Sequence, residues 1–95
     1  MTKAELVEKV AAATGFTKTE TTVICENFLD AIKSALGAGH NIEIRKFGTF
    51  KIKKRKPRIA RNPRTGDAVP ISERFIPVFK PSNEFKALIR QEGED

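Results

Sequence analysis

The sequence predicts an α+β fold: an N-terminal helical hairpin, a three-stranded antiparallel sheet extended into a long β-ribbon arm, and a short C-terminal helix. Three observations carry this reading. Two capping boxes open apolar patterns of helical period before residue 37. From residue 41 the apolar period becomes two. From Lys53 to Arg61 the alternation loses its apolar members, apart from Ile59, and cations dominate, so a strand continuing there has no core to sit on.

The elements follow in order. Thr2-Lys3-Ala4-Glu5 is the first capping box, followed at helical spacing by Leu6, Val7, Val10, Ala11 and Ala13, with Gly15 as the stop. Thr17-Lys18-Thr19-Glu20 is the second. It opens a longer helix ending near Leu36, with Gly37 and Gly39 as stops. Ile24, Phe28, Ala31 and Ala35 form one apolar stripe, and Cys25, Leu29, Ile32 and Leu36 the adjacent one. Together they span a wider arc than one small core needs, which fits a helix packed on its own domain and on a second subunit. The alternative is that both stripes fill a single intramolecular core.

Asn41-Ile42-Glu43-Ile44-Arg45 and Phe50-Lys51-Ile52-Lys53 alternate as strands, with Phe47-Gly48-Thr49 read as the tight turn between them. Asn62-Pro63-Arg64-Thr65-Gly66-Asp67 is dense in turn formers and marks the tip of a hairpin. Ala68-Val69-Pro70-Ile71 returns, with Pro70 restricting it to an edge. A lone ribbon is marginal in water, so the arm is expected to be mobile without a ligand. Phe75-Ile76-Pro77-Val78-Phe79 rejoins the sheet, and Ser82 caps a last helix holding Phe85, Leu88 and Ile89 on one face. Gln91 to Asp95 form a short acidic tail. The reading is one domain over 1–95: a helical dimerisation part over 1–37, the sheet over 41–81 with the arm at about 53–75, and the final helix over 82–90.

At 95 residues, 39% hydrophobic and 32% charged, the chain suits a small folded protein rather than a disordered one. Its net charge of +6 is local. Residues 1–44 and 65–95 each carry four bases and six acids, whereas 45–64 carries ten bases and no acid. The ten are Arg45, Lys46, Lys51, Lys53, Lys54, Arg55, Lys56, Arg58, Arg61 and Arg64. Such a block is either a solvated face or an element that binds a polyanion. Its internal position and ordered-looking flanks favour the second.

Other chemistry is poorly represented. A lone Cys25 on an apolar helix face reads as a structural thiol, and His40 between Gly39 and Asn41 as a turn residue. There is no GxGxxG, no HExxH and no phosphate loop ending in Gly-Lys-Ser/Thr. No enzyme activity, cofactor, metal, small-molecule substrate or membrane association is expected. The residues after Met1 lack the apolar run of a signal peptide, so a cytoplasmic protein is expected. On a thin ribbon, cations would fit a duplex groove. Pro63 at the tip, rigid and without an N–H, would serve either as a wedge between base pairs or simply as a turn former. With no Tyr or Trp, and with Phe at core-like positions, a stacking platform for single strands is disfavoured.

Lys46-Phe47-Gly48-Thr49-Phe50, followed by Arg58-Ile59-Ala60-Arg61-Asn62-Pro63-Arg64-Thr65-Gly66, resembles the signature of the bacterial HU/IHF proteins, GFGTF and then RxGRNPxTG. Pro77-Val78-Phe79-Lys80-Pro81 resembles the family's return strand, and the likeness covers about residues 1–90. It implies an intertwined dimer whose two β-ribbon arms embrace the DNA minor groove, with Pro63 intercalating and kinking the duplex, the mode known for this family. It further implies DNA contacts by Arg58, Arg61, Asn62 and Arg64 at the arm tip and by Lys53 and Arg55 on the ascending strand. Lys3, Lys46, Arg74, Lys80 and Lys86 complete the implied set. The partner is then double-stranded DNA, bent and compacted with little sequence specificity by a nucleoid-associated homodimer. A subunit of an IHF-like sequence-specific heterodimer is the nearest alternative, and an RNA-binding protein a more distant one. Three departures stand out: Lys46 for the first Gly of GFGTF, Ala60 for the Gly before Arg-Asn-Pro, and Ser82-Asn83 where Gly-Lys is usual.

Overall fold

The computed structural model describes residues 1–89. The acidic residues 91–95 and Arg90 of the expected last helix lie outside the described residues. Helices α1 (Lys3–Thr14) and α2 (Lys18–Gly37) begin at the two capping boxes. The Thr17 hydroxyl accepts from the Glu20 N–H at 3.1 Å, and the Glu20 carboxylate accepts from the Thr17 N–H at 2.9 Å. These bonds, the backbone one first, hold the Glu20 carboxyl below its ordinary pKa. Gly15 ends α1 at φ 83°, a left-handed value that suits glycine, and donates to the Ala11 carbonyl at 2.9 Å. The helices lie against each other, tied at their rims by Lys3–Glu26 at 3.0 Å and Lys18–Glu8 at 2.8 Å.

Strands β1 (Ile42–Ile44), β2 (Gly48–Arg55) and β5 (Arg74–Pro81) form an antiparallel sheet in the order β1-β2-β5. β3 (Arg58–Arg61) and β4 (Ala68–Ile71) form a separate two-stranded ribbon. Helix α3 (Asn83–Leu88) follows, its Ser82 cap accepting from the Phe85 N–H at 3.0 Å.

The tight turn lies earlier than the sequence places it. Arg45-Lys46-Phe47 make the turn, closed by the Phe47 N–H on the Ile44 carbonyl at 3.0 Å, and Gly48 already belongs to β2. Gly48 serves close approach: a Cβ there would stand 2.6 Å from both the Lys80 carbonyl oxygen and the Phe79 ring. Against it an aromatic cluster forms, with Phe47 and Phe50 at 5.3 and 4.9 Å from Phe79 and Phe85 at 5.3 Å from Phe47.

Little of this chain is covered by itself. Among apolar side chains of the described residues, only Val7 is buried. The radius of gyration is 18.6 Å, against about 12 Å for a compact chain of this length. Neither stripe of α2 is fully buried: Cys25, Ile32, Ala35 and Leu36 are half-buried, whereas Ile24, Phe28 and Leu29 are 56%, 58% and 44% exposed. A single intramolecular core filled by both stripes is therefore not what forms. Leu88, expected on one face of the last helix with Phe85 and Ile89, is 83% exposed, and Ile89 has left helical geometry. Among the described residues no helix is long and apolar enough to cross a membrane.

Candidate nucleic-acid interface

Strand alternation sorts the body sheet into two unlike faces. The register pairs Phe50 with Phe79 and Ile52 with Pro77, which places the aromatic cluster on one face. The other face carries Lys51, Lys53 and Arg55 from β2, opposite Val78, Ile76 and Arg74 of β5, with Lys80 opposite Thr49. The row of cations thus backs directly onto the apolar face. Lys46, Lys80, Arg45 and Lys51 line one cavity of about 580 Å³ beside the start of α3, together with the carboxylates of Glu43 and Glu84. Lys46 and Lys80 belong to the DNA contacts that the resemblance implies, and Arg45 and Lys51 to the cationic block of 45–64. Lys51 shares the period-two spacing of Lys53 and Arg55 on β2, whereas Arg45 lies in the turn before β2 and carries no such signal.

The arm tip is a hydrogen-bonded loop. The Asn62 N–H donates to the Asp67 carbonyl at 2.9 Å and the Gly66 N–H to the Asn62 carbonyl at 2.8 Å. The Asn62 side-chain oxygen accepts from the Arg64 N–H at 2.8 Å, and the Thr65 hydroxyl from the Asp67 N–H at 3.2 Å. Gly66 takes φ 78°, where a side chain would be strained. Arg61 reaches across to the Gly66 carbonyl with Nη1 at 2.6 Å. Arg61 and Asn62 therefore build the loop as well as standing beside Pro63. Pro63 and Arg64 are exposed at its crest.

Of the remaining expected contacts, Arg58 opens β3 opposite Ile71 and is exposed. Lys3 is exposed at the start of α1, its ammonium on Glu26, and Lys86 is exposed on α3. The body cations, the helix-end lysines and the arm tip are three separate groups along a molecule 54 Å in longest extent. Only a ligand with many anionic groups can engage all of them. Among the described residues no three His, Cys, Asp or Glu side chains gather where a metal could sit.

A profile of the bacterial DNA-binding protein family matches residues 1–90. The chain belongs to this HU/IHF family. Integration host factor subunit alpha of Anaeromyxobacter sp. is 40% identical over 95 residues, which cover all of this chain and 84% of that protein. Integration host factor subunit beta of Vibrio cholerae is 42% identical over 90 residues, 94% of this chain and 98% of that one. Among solved structures, Anabaena HU, crystallised with DNA, superposes with a TM-score of 0.85 at 31% identity, covering 90% of this chain and 94% of that chain. HU of Thermotoga maritima gives 0.66 at 26% identity, covering 92% and 96%.

Within this HU/IHF chain, Lys46 sits at φ 65°, the left-handed value that explains why glycine suits that position in GFGTF. A left-handed lysine costs about 1–2 kcal/mol, and glycine loses about 0.5–1 kcal/mol in chain entropy. Lys46→Gly is therefore expected to stabilise the protein by up to about 1 kcal/mol, a rise of a few degrees in Tm. Thermal unfolding at one protein concentration checks it. A lower Tm would mean that the lysine side chain makes contacts worth more than the strain.

Proposed function

We propose that the chain forms a homodimer that bends duplex DNA without catalysis. Each β3–β4 arm lies along the minor groove and Pro63 wedges between base pairs. The observation that carries this reading is the arm tip: a pre-formed loop with an exposed Pro63 at its crest, on a ribbon flanked by Arg58, Arg61 and Arg64. Unstacking costs roughly a few kcal/mol per base step. Contacts of Lys53 and Arg55 with the bent duplex, and of Lys3, Lys46, Lys80 and Lys86 with its flanks, offset that cost by releasing counterions. Dimerisation is supported by the uncovered apolar face of α1 and α2. The place of action is the cytoplasm, at the nucleoid.

The test is end-to-end FRET on a doubly labelled random-sequence duplex titrated with this protein alone. Transfer is expected to rise to saturation. Affinity is expected to fall about a thousandfold or more between roughly 50 and 200 mM salt, the loss for about six or more phosphate contacts. Binding without a rise in transfer would leave a charge-coating protein and remove the wedge. The likeness to integration host factor subunits favours a second reading, a partner in a heterodimer. No bending of random DNA by this chain alone, restored on adding a complementary subunit, would establish it.

A further inference from the structure

We propose that Asp67 gives the arm a preference for guanine, its carboxylate accepting from the exocyclic amine that a G·C pair presents in the minor groove. This rests on the proposed wedging of Pro63 in that groove. Between Arg45 and Ser72 the chain carries ten bases and one acid, and that acid is Asp67. The main chain of Asp67 is held in the tip. Its carbonyl accepts from the Asn62 N–H at 2.9 Å, and its N–H donates to the Thr65 hydroxyl at 3.2 Å. Asn62 and Asp67 thus close the tip loop, one rung beyond the last paired residues, Arg61 and Ala68. The residue is exposed. Among the described residues its carboxylate takes part in no hydrogen bond and no ion pair. Arg61, beside Asn62, directs its Nη1 to the Gly66 carbonyl at 2.6 Å instead.

An anion at this place is unfavourable unless something in the groove donates to it. An A·T pair offers only acceptors there, adenine N3 and thymine O2. A G·C pair adds a donor, the guanine N2 amine. An ionised carboxylate has acceptor oxygens only, so it gains a hydrogen bond at G·C and meets repulsion at A·T. Pro63 adjoins Asn62, so a proline seated between two base pairs sets the Asn62–Asp67 rung against the edge of the next pair. A strand residue rises about 3.3 Å, close to the spacing of about 3.4 Å between stacked pairs. The cations cannot make this distinction. Arg58, Arg61 and Arg64 are donors, and both kinds of pair offer acceptors in the minor groove. Asp67 is therefore the charged side chain of the arm that can tell a G·C pair from an A·T pair.

The experiment measures binding of the intact protein to three duplexes of uniform alternating sequence, G·C, I·C and A·T, so that the register of the arm does not matter. Inosine keeps the purine ring of guanosine but lacks the N2 amine. Dividing the G·C to I·C affinity ratio of the wild type by that of Asp67→Ala cancels differences in duplex stiffness. The quotient is expected to be about ten, as for one charge-assisted hydrogen bond. Asp67→Ala should bind I·C and A·T more tightly than the wild type does, and G·C no more tightly. Asp67→Asn keeps an acceptor and gains a donor, so its ratio should fall between the two. Both variants retain the main-chain bonds of the tip, and melting curves check that they fold. A quotient of one, with affinity raised equally on all three duplexes, would make Asp67 a general brake on binding and overturn the assignment. FRET on labelled forms of the same duplexes separates the two possible failures. Wild-type bending with a quotient of one overturns the role of Asp67 alone. No bending of any duplex removes the wedge, and the assignment with it.

Discussion

Phe28→Glu is expected to dissociate the dimer and, with it, much of the helical structure. Phe28 is 58% exposed in the single chain, and the cavity beside it is lined by Leu6, Val7, Val10, Ile24, Cys25 and Leu29, and by Lys3, whose ammonium is already held by Glu26 at 3.0 Å. Burying a phenylalanine is worth about 1.5–3 kcal/mol, and an uncompensated carboxylate in an apolar interface costs about 3–5 kcal/mol. A two-fold interface suffers each change twice. The weaker dimer should show a dissociation constant raised by at least about a thousandfold. Sedimentation and far-UV circular dichroism over a concentration series measure this. Lys9→Glu, on the exposed side of α1, is the control for charge alone. An unchanged dimer in Phe28→Glu would place the subunit contact elsewhere and leave the apolar face of α2 without an occupant.

The features legible in the sequence were those whose causes are local. A capping box needs only a threonine and a glutamate three residues later, and both helices start at theirs. The hairpin tip was legible for the same reason, since Asn62, Thr65 and Gly66 make bonds within a few residues of themselves. Where the cause is distant, the reading failed or stopped short. Gly48 drew the turn towards itself because glycine signals turns, yet it is required by Phe79 and Lys80, some thirty residues on. The true turn hides behind Lys46, a residue type that carries no turn signal. Leu88 has the right period for a helix face but is left 83% exposed by its own chain. The opposition of Arg55 and Arg74 is a fact of register, and register is fixed by the whole ladder rather than by either strand.

Pro63→Ala is expected to leave a protein that binds DNA but bends it much less. The loop supports this separation of roles. Its bonds come from the N–H groups of Asn62, Arg64, Gly66 and Asp67 and from the Arg61 guanidinium, and none uses the proline ring. Proline fixes its own φ near about −65°, so alanine loosens the crest without removing a bond. The cations that meet phosphates are untouched, so the slope of log affinity against log salt should stay as in the wild type. Affinity itself should fall by about tenfold or less, because the groove fits the arm less closely when the duplex is straighter, while base steps that stay stacked partly balance that cost. The FRET rise at saturation should fall by more than half. Pro70→Ala, in β4 opposite Ile59, removes a ring from the same arm away from the tip and should bend DNA as the wild type does. A wild-type bend in Pro63→Ala would make the proline a turn former only, and bending would then have to arise from the cationic face of the body sheet drawing the flanks inward.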